Sequence, residues 1–243
     1  ATQRGIMVGN TPGTVTETTA DLTFALIMAA ARRIGEGIDY VRQGKWRTFK
    51  PLELLGWDVH HATLGIIGMG RIGTEVAKRA RGFDMTVLYY DHQMRPELGQ
   101  STGAVMCRSL DELLAHSDFV TLHTPLNEKT RHLINERTLG LMKKTAILVN
   151  VARGAIVDTE ALYDALRSDR IAAAALDVTD PEPLPADHKL LKLPQCLVIP
   201  HTGSASVDTR NKMAVMAAEN LVAGVTGGIP KHLVNENMLA LNK

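Results

Sequence analysis

The sequence predicts an α/β protein built on a doubly wound, parallel sheet. From Thr63 onward, short and nearly unbroken apolar runs alternate with segments in which apolar residues recur at helical spacing. Such short apolar runs are typical of strands that are buried on both faces, as in parallel sheets. A glycine-rich turn follows the first run and opens the first helical segment after it. The regular alternation of strand and helix predicts parallel strands joined by right-handed helical crossovers.

The individual elements follow from the same patterns. The segment TVTETTADLTFALIMAAARR offers Thr and Asp as caps before apolar residues at helical spacing, so we expect one long amphipathic helix from Thr16 to about Arg42. We expect strands in TLGIIGMG, TVLYYD, FVTLHT, AILVNV, IAAAALDV and CLVIPH, and helices over Arg71 to Gly82, Leu110 to His116, Glu136 to Met142 and Thr159 to Asp169. The segment SVDTRNKMAVMAAENLVAGVTGG predicts a last helix, which its two glycines end.

Composition narrows the classes of function. Lys and Arg number 27 and Asp and Glu number 26, which leaves a net charge of +1, so no basic field favours nucleic acid or an anionic membrane. The longest apolar stretch, around Ala25 to Ala31, is far shorter than the roughly 20 residues that span a bilayer. Cys107 and Cys196 are too few for a disulfide framework and indicate a reducing, cytoplasmic compartment. We expect the partner to be a small molecule or a second copy of the chain.

The glycine-rich turn has the features of a dinucleotide site. Gly68, Gly70 and Gly73 form GxGxxG between a strand and a helix, and Asp91 ends the next strand 18 positions after Gly73. The first glycine permits a tight turn, the second lets the backbone approach a pyrophosphate, and the third lets helix and strand pack closely. The helix N-terminus faces the anion. A glycine turn that binds nothing is the alternative, and the strand, the helix and the acid together disfavour it.

Asp91 also bears on which dinucleotide binds. A carboxylate pairs with the ribose hydroxyls of NAD and repels the 2′-phosphate of NADP, so the sequence favours NAD, with NADH as the reductant. Arg95, four positions further on, could reach a 2′-phosphate, and NADP therefore stays an alternative. A solvated loop arginine is the simpler interpretation of Arg95.

Three further motifs follow strands, where doubly wound folds carry their chemistry: VNVARGAIVD, LDVTDPEPLP and IPHTGSAS. With the glycine turn, they resemble the D-2-hydroxyacid dehydrogenase family, and DPEPLP and PHTGSAS are most similar to its glyoxylate and hydroxypyruvate reductases. The resemblance runs from about Gly5 to Val234 and keeps the family's motif order. It implies a Rossmann-type NAD-binding domain and an enzyme that reduces glyoxylate or hydroxypyruvate to the D-2-hydroxy acid.

The resemblance also implies three catalytic residues: Arg153 would bind the substrate, His201 would be the acid/base, and Glu182 would be its partner carboxylate. Each residue type suits its role. A planar guanidinium binds a carboxylate with two hydrogen bonds, a histidine can donate a proton near neutral pH, and a carboxylate beside it stabilises the imidazolium and fixes the ring. Taken one at a time, the three could equally be a surface arginine, a solvated turn glutamate and a core histidine. The other histidines lack paired ligand spacing, so no metal site is expected.

A wider set of residues would bind the cofactor by the same resemblance. They are Gly68, Gly70, Arg71, Ile72, Gly73, Asp91, Thr124, Pro125, Val151, Ala152, Arg153, Asp177, His201 and Gly203. Phosphoglycerate dehydrogenases share the catalytic triad and stay an alternative, as does a non-catalytic, NAD(H)-sensing interaction protein. Formate dehydrogenases carry Gln in place of Glu182, which argues against formate.

Domain organisation and assembly are also implied by the resemblance. Residues 1–12, with the strand GIMVGN, would be the remnant of an N-terminal substrate domain, 13–228 the dinucleotide-binding domain, and 229–243 a C-terminal return segment. The chain opens without Met and reads like the middle of a protein. In the family, the region of the first helix builds a two-fold dimer. We therefore expect a homodimer, with Trp46 and Phe49 of GKWRTFKPLELLG as interface aromatics.

Overall fold

A single parallel sheet organises the fold. The computed structural model describes residues 1–93 and 96–240 of the chain. The strands are β1 Thr63–Ile67, β2 Thr86–Tyr90, β3 Val105–Met106, β4 Phe119–Leu122, β5 Ile147–Asn150, β6 Ala173–Leu176 and β7 Cys196–Val198. They pair in the order β3-β2-β1-β4-β5-β6-β7, and every pair is parallel. This confirms the predicted fold class, and it places the reversal of strand order between β1 and β4.

Helices precede, connect and follow the strands, and several of them begin at polar side-chain caps. They are α1 Thr16–Ala31, α2 Ile34–Arg42, α3 Arg71–Ala80, α4 Pro96–Thr102, α5 Leu110–His116, α6 Glu136–Leu141, α7 Thr159–Arg167 and α8 Val207–Val225. Ser109 caps α5, Asn135 forms a capping box at α6, and Asp158 accepts two backbone N–H groups at the start of α7. Helices α3 and α5 to α8 lie where the sequence predicts them.

The first helical segment is interrupted. The prediction of one long helix from Thr16 to Arg42 is wrong, because α1 ends at Ala31 and Arg33 adopts a left-handed backbone with φ 51°. The Ala31 carbonyl accepts a hydrogen bond from the Trp57 N–H at 2.9 Å, and a side chain at Gly56 would overlap that carbonyl oxygen. A distant segment thus satisfies the carbonyl at the end of α1. Helical periodicity alone does not reveal such a contact.

Other short elements also differ from the prediction. The segment GIMVGN forms no strand, since an isolated antiparallel bridge between Gly9 and Leu233 is its only ladder contact in the described chain. The Val8 N–H donates to the Asn235 side chain at 2.8 Å, so a side chain takes the place of a ladder partner. The short elements α4 and β3 were not predicted, because they are too brief for a periodic pattern to emerge.

The chain forms two compact units by the contacts within each. The larger unit, Thr19–Gly203, holds the whole sheet and all predicted catalytic residues. The smaller unit comprises Ala1–Thr18 and the described part of Ser204–Lys243. In the smaller unit the buried Asn220 donates to the Asn10 carbonyl at 2.9 Å and accepts from the His232 N–H at 3.3 Å. The predicted domain boundaries at residues 12 and 228 are defined by whether a domain binds substrate or cofactor. Contacts within the chain do not test that division, so it stays a prediction.

Two apolar cores cover the two faces of the sheet in the larger unit. One core contains α1 and α3, with the rings of Phe24 and Phe83 stacked 5.3 Å apart, and the other contains α5 to α7. Gly65 of β1 lets α5 pack closely, because a Cβ there would overlap Ser117 and lie 2.7 Å from Leu113. With both faces covered, the edge formed by the carboxyl ends of the strands is where the loops can meet.

Candidate active site

The glycine turn after β1 contains two glycines that the fold requires and one that it does not. Gly68 has φ 95°, and a Cβ there would lie 2.8 Å from the backbone of His123 and Thr124 after β4. A Cβ on Gly73 would overlap the Gly68 carbonyl oxygen. Gly70, the N-cap of α3, has no atom within 4 Å of where its Cβ would be. Open space in front of a helix N-terminus fits a pyrophosphate group.

Asp91 joins the end of β2 to the glycine turn. Its carboxylate accepts hydrogen bonds from the Met69 N–H at 2.9 Å and the Gln93 N–H at 3.1 Å, and the His92 ring lies 3.0 Å from it. About a tenth of the Asp91 side chain is exposed. The carboxylate is therefore fixed beside the turn, in the position expected for an acid that recognises ribose. Arg95, the alternative phosphate contact, lies outside the described residues.

The other predicted cofactor residues are distributed along the same edge. Arg71 and Ile72 begin α3, Thr124 and Pro125 follow β4, and Val151 and Ala152 follow β5. The close approach of Gly68 to Thr124 brings the first two of these loops together at the point where the strand order reverses. Their contacts with a dinucleotide stay a prediction.

Glu182 and His201 form a hydrogen-bonded pair. The distance from Nδ1 of His201 to Oε1 of Glu182 is 2.6 Å, and the other carboxylate oxygen accepts the Thr179 N–H at 3.3 Å. About half of the His201 side chain and about two fifths of the Glu182 side chain are exposed. Because Nδ1 faces Glu182, Nε2 is the ring nitrogen that can face a substrate.

The electrostatics of this pair favour an ionised carboxylate. The hydrogen bond from His201 is the main cause that holds the pKa of Glu182 below its ordinary value. Burial acts in the opposite direction, while the Thr179 N–H and the charges of His201 and Arg153 lower the pKa further. Glu182 is thus an acceptor for a ring N–H at neutral pH and can stabilise the imidazolium form.

Asp177 holds the histidine loop in place. This side chain is only 1% exposed, and its two oxygens accept the Thr202 N–H at 2.5 Å and the Gly203 N–H at 2.9 Å. Its carbonyl accepts the His201 N–H at 2.8 Å, and His201 has the left-handed φ of 48°. Two residues predicted to bind cofactor, Asp177 and Gly203, are therefore bonded to each other behind the histidine.

Arg153 lies on the loop after β5, next to the loop that carries Glu182. A Cβ on Gly154 would overlap the Thr179 carbonyl oxygen, so the two backbones touch at this point. The Arg153 side chain is exposed, and its Nη1 donates to the Ala152 carbonyl at 2.6 Å. The structure therefore brings the loops of all three predicted catalytic residues to one edge, with a direct hydrogen bond joining only Glu182 and His201.

Two features near the site were not predicted from the sequence. Asn150, which is fully buried, bonds through its side chain to the loop that carries Arg153. His123 has part of its surface accessible, but both ring nitrogens are buried without a hydrogen-bond partner in the described chain. Their positions at the ends of predicted strands are visible in NVARG and LHTP, but the direction of each side chain is not.

A cavity of about 350 Å³ adjoins the pair. Glu182 and His201 line one side, and Pro183, Leu184 and Leu191 line the apolar side. A second cavity, of about 600 Å³, lies between α2 and β7 and is lined by none of the predicted site residues. The converging loops define the candidate site, because the hydrogen-bonded pair of Glu182 and His201 and the Arg153 loop meet there.

The described residues contain neither a candidate metal cluster nor a candidate membrane span. In residues 1–93 and 96–240, no three His, Cys, Asp or Glu side chains are grouped so that they could hold a metal ion. Within the same ranges, no helix has the length and apolar character needed to cross a membrane.

Comparison with known proteins relates this site to a family. The family model described as the NAD-binding domain of D-isomer specific 2-hydroxyacid dehydrogenases matches residues 24–203. A glyoxylate reductase of Korarchaeum cryptofilum is 54% identical over 240 residues, which cover 98% of this chain and 72% of the relative. A solved structure from Thermus thermophilus is 50% identical with a TM-score of 0.90, over 96% of this chain and 72% of the other.

Two more distant solved structures are described with their cofactors. A D-lactate dehydrogenase of Lactobacillus jensenii with NAD⁺ has a TM-score of 0.82 and 30% identity, over 94% of this chain and 72% of the other. An acyclic imino acid reductase in complex with NADPH and D-Arg also has a TM-score of 0.82, at 29% identity, over 96% of this chain and 72% of the other.

Fold and site together define an NAD-dependent oxidoreductase with a Rossmann-type domain. The chain belongs to the D-isomer specific 2-hydroxyacid dehydrogenase family. Its reaction is the NAD-dependent reduction of a small 2-keto acid to the 2-hydroxy acid. The predicted resemblance, fold, enzyme class and cofactor are thereby confirmed.

The buried ring of His123 predicts a pH-dependent stability. Burial lowers the pKa of His123 from about 6.5 to about 3, so between these values the unfolded chain binds a proton that the folded chain does not. The free energy of unfolding should therefore rise with pH across this window, by at most about 1.4 kcal/mol per pH unit, and level off above it. In His123→Leu we expect the free energy of unfolding to rise less steeply with pH when it is measured by urea denaturation from about pH 4 to about pH 8.

The matched control is His116→Gln, because the His116 side chain is exposed and bonds to the Glu112 carbonyl of its own helix. This variant should keep the wild-type slope. A slope in His123→Leu equal to that of wild type would show that the ring titrates in the same range whether the chain is folded or unfolded.

Proposed function

We propose that the chain reduces glyoxylate or hydroxypyruvate with NADH to the corresponding 2-hydroxy acid, which is the D form where C2 becomes a stereocentre. The observation that carries the proposal is the 2.6 Å hydrogen bond between Nδ1 of His201 and Glu182 at the edge where the Arg153 loop also lies. A relative named glyoxylate reductase at 54% identity supports the choice of substrate.

The proposed chemistry assigns one task to each side chain. Reduction of a 2-keto acid forms a C–H bond at C2 and an O–H bond at the former carbonyl oxygen. The bound cofactor supplies the hydride for the first bond. Nε2 of His201 donates the proton for the second, and the resulting loss of positive charge from the ring is reversed by uptake of a proton from water. Glu182 holds the ring through Nδ1 and stabilises its protonated form.

Arg153 binds the substrate carboxylate in this proposal. Its guanidinium can offer two parallel N–H donors to the carboxylate, and a positive charge there also polarises the adjacent carbonyl. In the structure the guanidinium is exposed and donates through Nη1 to the Ala152 carbonyl, and a guanidinium has further N–H donors that can bind a carboxylate. Gly70 and the first turn of α3 would hold the pyrophosphate, and Asp91 would hold the ribose.

The first prediction separates binding from chemistry. His201→Ala should lower kcat by about 10²–10⁴-fold and change the dissociation constant of NADH far less, because the proton donor is lost while the glycine turn and Asp91 keep their proposed cofactor contacts. Glu182→Gln should retain part of the activity and move the upper pH limit of keto acid reduction downward, because the imidazolium loses its anion. Oxidation of NADH with each keto acid is the measurement.

Both variants are measured in this chain and in a chimera that adds the part of the Korarchaeum cryptofilum reductase that the chain does not match. His116→Gln serves as the control, since its side chain lies on the exposed surface of α5. Wild-type rates in His201→Ala would mean that the proton comes from elsewhere. If wild type consumes NADH with neither keto acid in either form, the choice of substrate is wrong.

A second prediction concerns the cofactor. We propose that Asp91 sets the preference for NADH, because its fixed carboxylate would repel a 2′-phosphate. Asp91→Asn keeps a side-chain acceptor for the Met69 N–H and removes the charge. We expect the ratio of NADPH to NADH affinity to rise by at least about tenfold, or ~1.4 kcal/mol, when nicotinamide fluorescence is titrated. Tighter binding of NADPH by wild type, or an unchanged ratio, would contradict this role.

We further propose a homodimer through α1, α2 and the following segment. Large apolar side chains are exposed on α2 and in the segment after it: Ile34, Ile38, Val41, Trp46, Phe49, Leu52 and Leu55. Trp46 is 67% exposed and Phe49 84%, which is unusual for aromatic side chains of a monomer and typical of an interface. A monomer mass by light scattering at tens of micromolar would contradict the proposal.

Domain boundaries and location complete the proposal. We propose that residues 1–12 belong with a substrate domain, 13–228 with the dinucleotide-binding domain, and 229–243 with a return segment.

We also propose that the protein acts in the cytoplasm. The supporting observation is that Cys107 and Cys196 are both free and buried, and that burial raises the pKa of the Cys196 thiol to about 12. Fractionation of the native source would test the location.

A further inference from the structure

Asn150 is a buried polar residue at the point where β5 ends and the Arg153 loop begins. None of its surface is exposed. Its Oδ1 accepts the Ala152 N–H at 3.0 Å, and its Nδ2 donates to the Arg153 carbonyl at 2.9 Å. A buried carboxamide costs free energy unless its donor and acceptor are both used, and here both are used on the same short loop.

We propose that Asn150 is a positioning residue that orients Arg153 toward the substrate carboxylate. The inference rests on the proposed role of Arg153 in substrate binding. Asn150 itself is buried, so it acts through the loop and not by contact with the substrate.

The loop geometry shows how one side chain can fix the guanidinium. The Ala152 peptide is held at its N–H by Asn150, and the Ala152 carbonyl is the group that accepts Nη1 of Arg153 at 2.6 Å. The Arg153 carbonyl is held by Asn150 and also by the Ile156 N–H at 3.2 Å. Asn150 thus fixes the backbone of Arg153, and it also fixes the Ala152 peptide whose carbonyl accepts the hydrogen bond from the guanidinium.

Asn150 also connects this loop to the histidine pair. Its backbone carbonyl accepts the Asp177 N–H at 2.9 Å, and Asp177 in turn holds the backbone of the His201 loop. On the other side, the contact between Gly154 and Thr179 stops the Arg153 loop against the Glu182 loop. The spacing between guanidinium and imidazole is therefore set through Asn150 on one side and a steric contact on the other.

Only a carboxamide of this length provides the two bonds. Aspartate keeps the acceptor for the Ala152 N–H but cannot donate to the Arg153 carbonyl, and its charge would be buried beside a carbonyl oxygen. Serine is too short to reach both groups and leaves at least one of them unbonded. Asn150→Asp and Asn150→Ser therefore disrupt the same contact by different routes, so a folding defect in one leaves the other to be measured.

The Asn150 variants are expected to bind the substrate more weakly. Misplacement of a binding group by about an ångström can cost on the order of 10²-fold, so we expect the KM for keto acid to rise about 10- to 100-fold in either variant. The dissociation constant of NADH should change by no more than about threefold, because the glycine turn and Asp91 are untouched and the disturbed loop supplies only three of the fourteen predicted cofactor residues. The same loss should appear in the dissociation constant of oxamate, a non-reducible analogue of a 2-keto acid, bound in the presence of NADH.

A matched control separates positioning from stability. Asn220, in the smaller unit, is a buried asparagine whose side chain also donates to one carbonyl and accepts one N–H. Asn220→Ser should lower the melting temperature in the same manner as Asn150→Ser and leave both KM and oxamate affinity unchanged. A purely structural Asn150 would behave like this control.

A double-mutant cycle completes the test. If Asn150 acts through Arg153, adding Asn150→Ser to Arg153→Ala should weaken oxamate binding by no more than about twofold beyond Arg153→Ala alone. The inference would be overturned if Asn150→Ser weakened oxamate binding in the Arg153→Ala background as much as it does in wild type. An unchanged KM in both Asn150 variants would also overturn it. In either case the role of Arg153 would stand. If Arg153→Ala itself leaves oxamate affinity unchanged, the proposed function of Arg153 fails, and the inference fails with it.

Discussion

The buried carboxylate of Asp177 is the interaction on which the geometry of the site depends. A charge out of contact with water must be fully hydrogen-bonded, and Asp177 obtains its partners from the backbone of Thr202 and Gly203. The loop after β7 therefore has to fold back over the end of β6. That constraint places His201 in a left-handed backbone conformation with its ring against Glu182. The positions of Glu182 and His201 are thus a consequence of hydrogen-bonding a buried carboxylate that lies behind them.

Much of the fold, and the edge at which the candidate site lies, could be predicted because each parallel strand can be recognised from its own short apolar sequence. Each apolar run marks a strand, and the residue after each run must lie at the carboxyl edge. Arg153, Glu182 and His201 could thus be expected to converge, although Glu182 and His201 are separated by an entire loop and strand. The expectation required no knowledge of the loops themselves, because the sheet fixes where every loop begins.

Features set by contacts between distant segments were not predictable. The break at Arg33 depends on the Trp57 N–H reaching the Ala31 carbonyl, which periodicity within one helix does not encode. The double hydrogen bond of Asn150 depends on how the chain turns after β5, and an asparagine after a strand is also common in ordinary turns. The ring of His123, which has no hydrogen-bond partner among the described residues, is a third case, because its sequence neighbours give no sign that both nitrogens are buried.

The three glycines of the turn after β1 are required for different reasons, two of them by the fold and one by a bound molecule. Gly68 and Gly73 would clash with backbone atoms if they gained a side chain, so any descendant that keeps this fold must keep them. Gly70 faces open space, and only a bound molecule can penalise its replacement. A lineage that had lost the cofactor would therefore retain the outer two glycines and let the middle one drift. Among homologous chains, the identity of the residue at this middle position would record whether the ancestral chemistry is still in use.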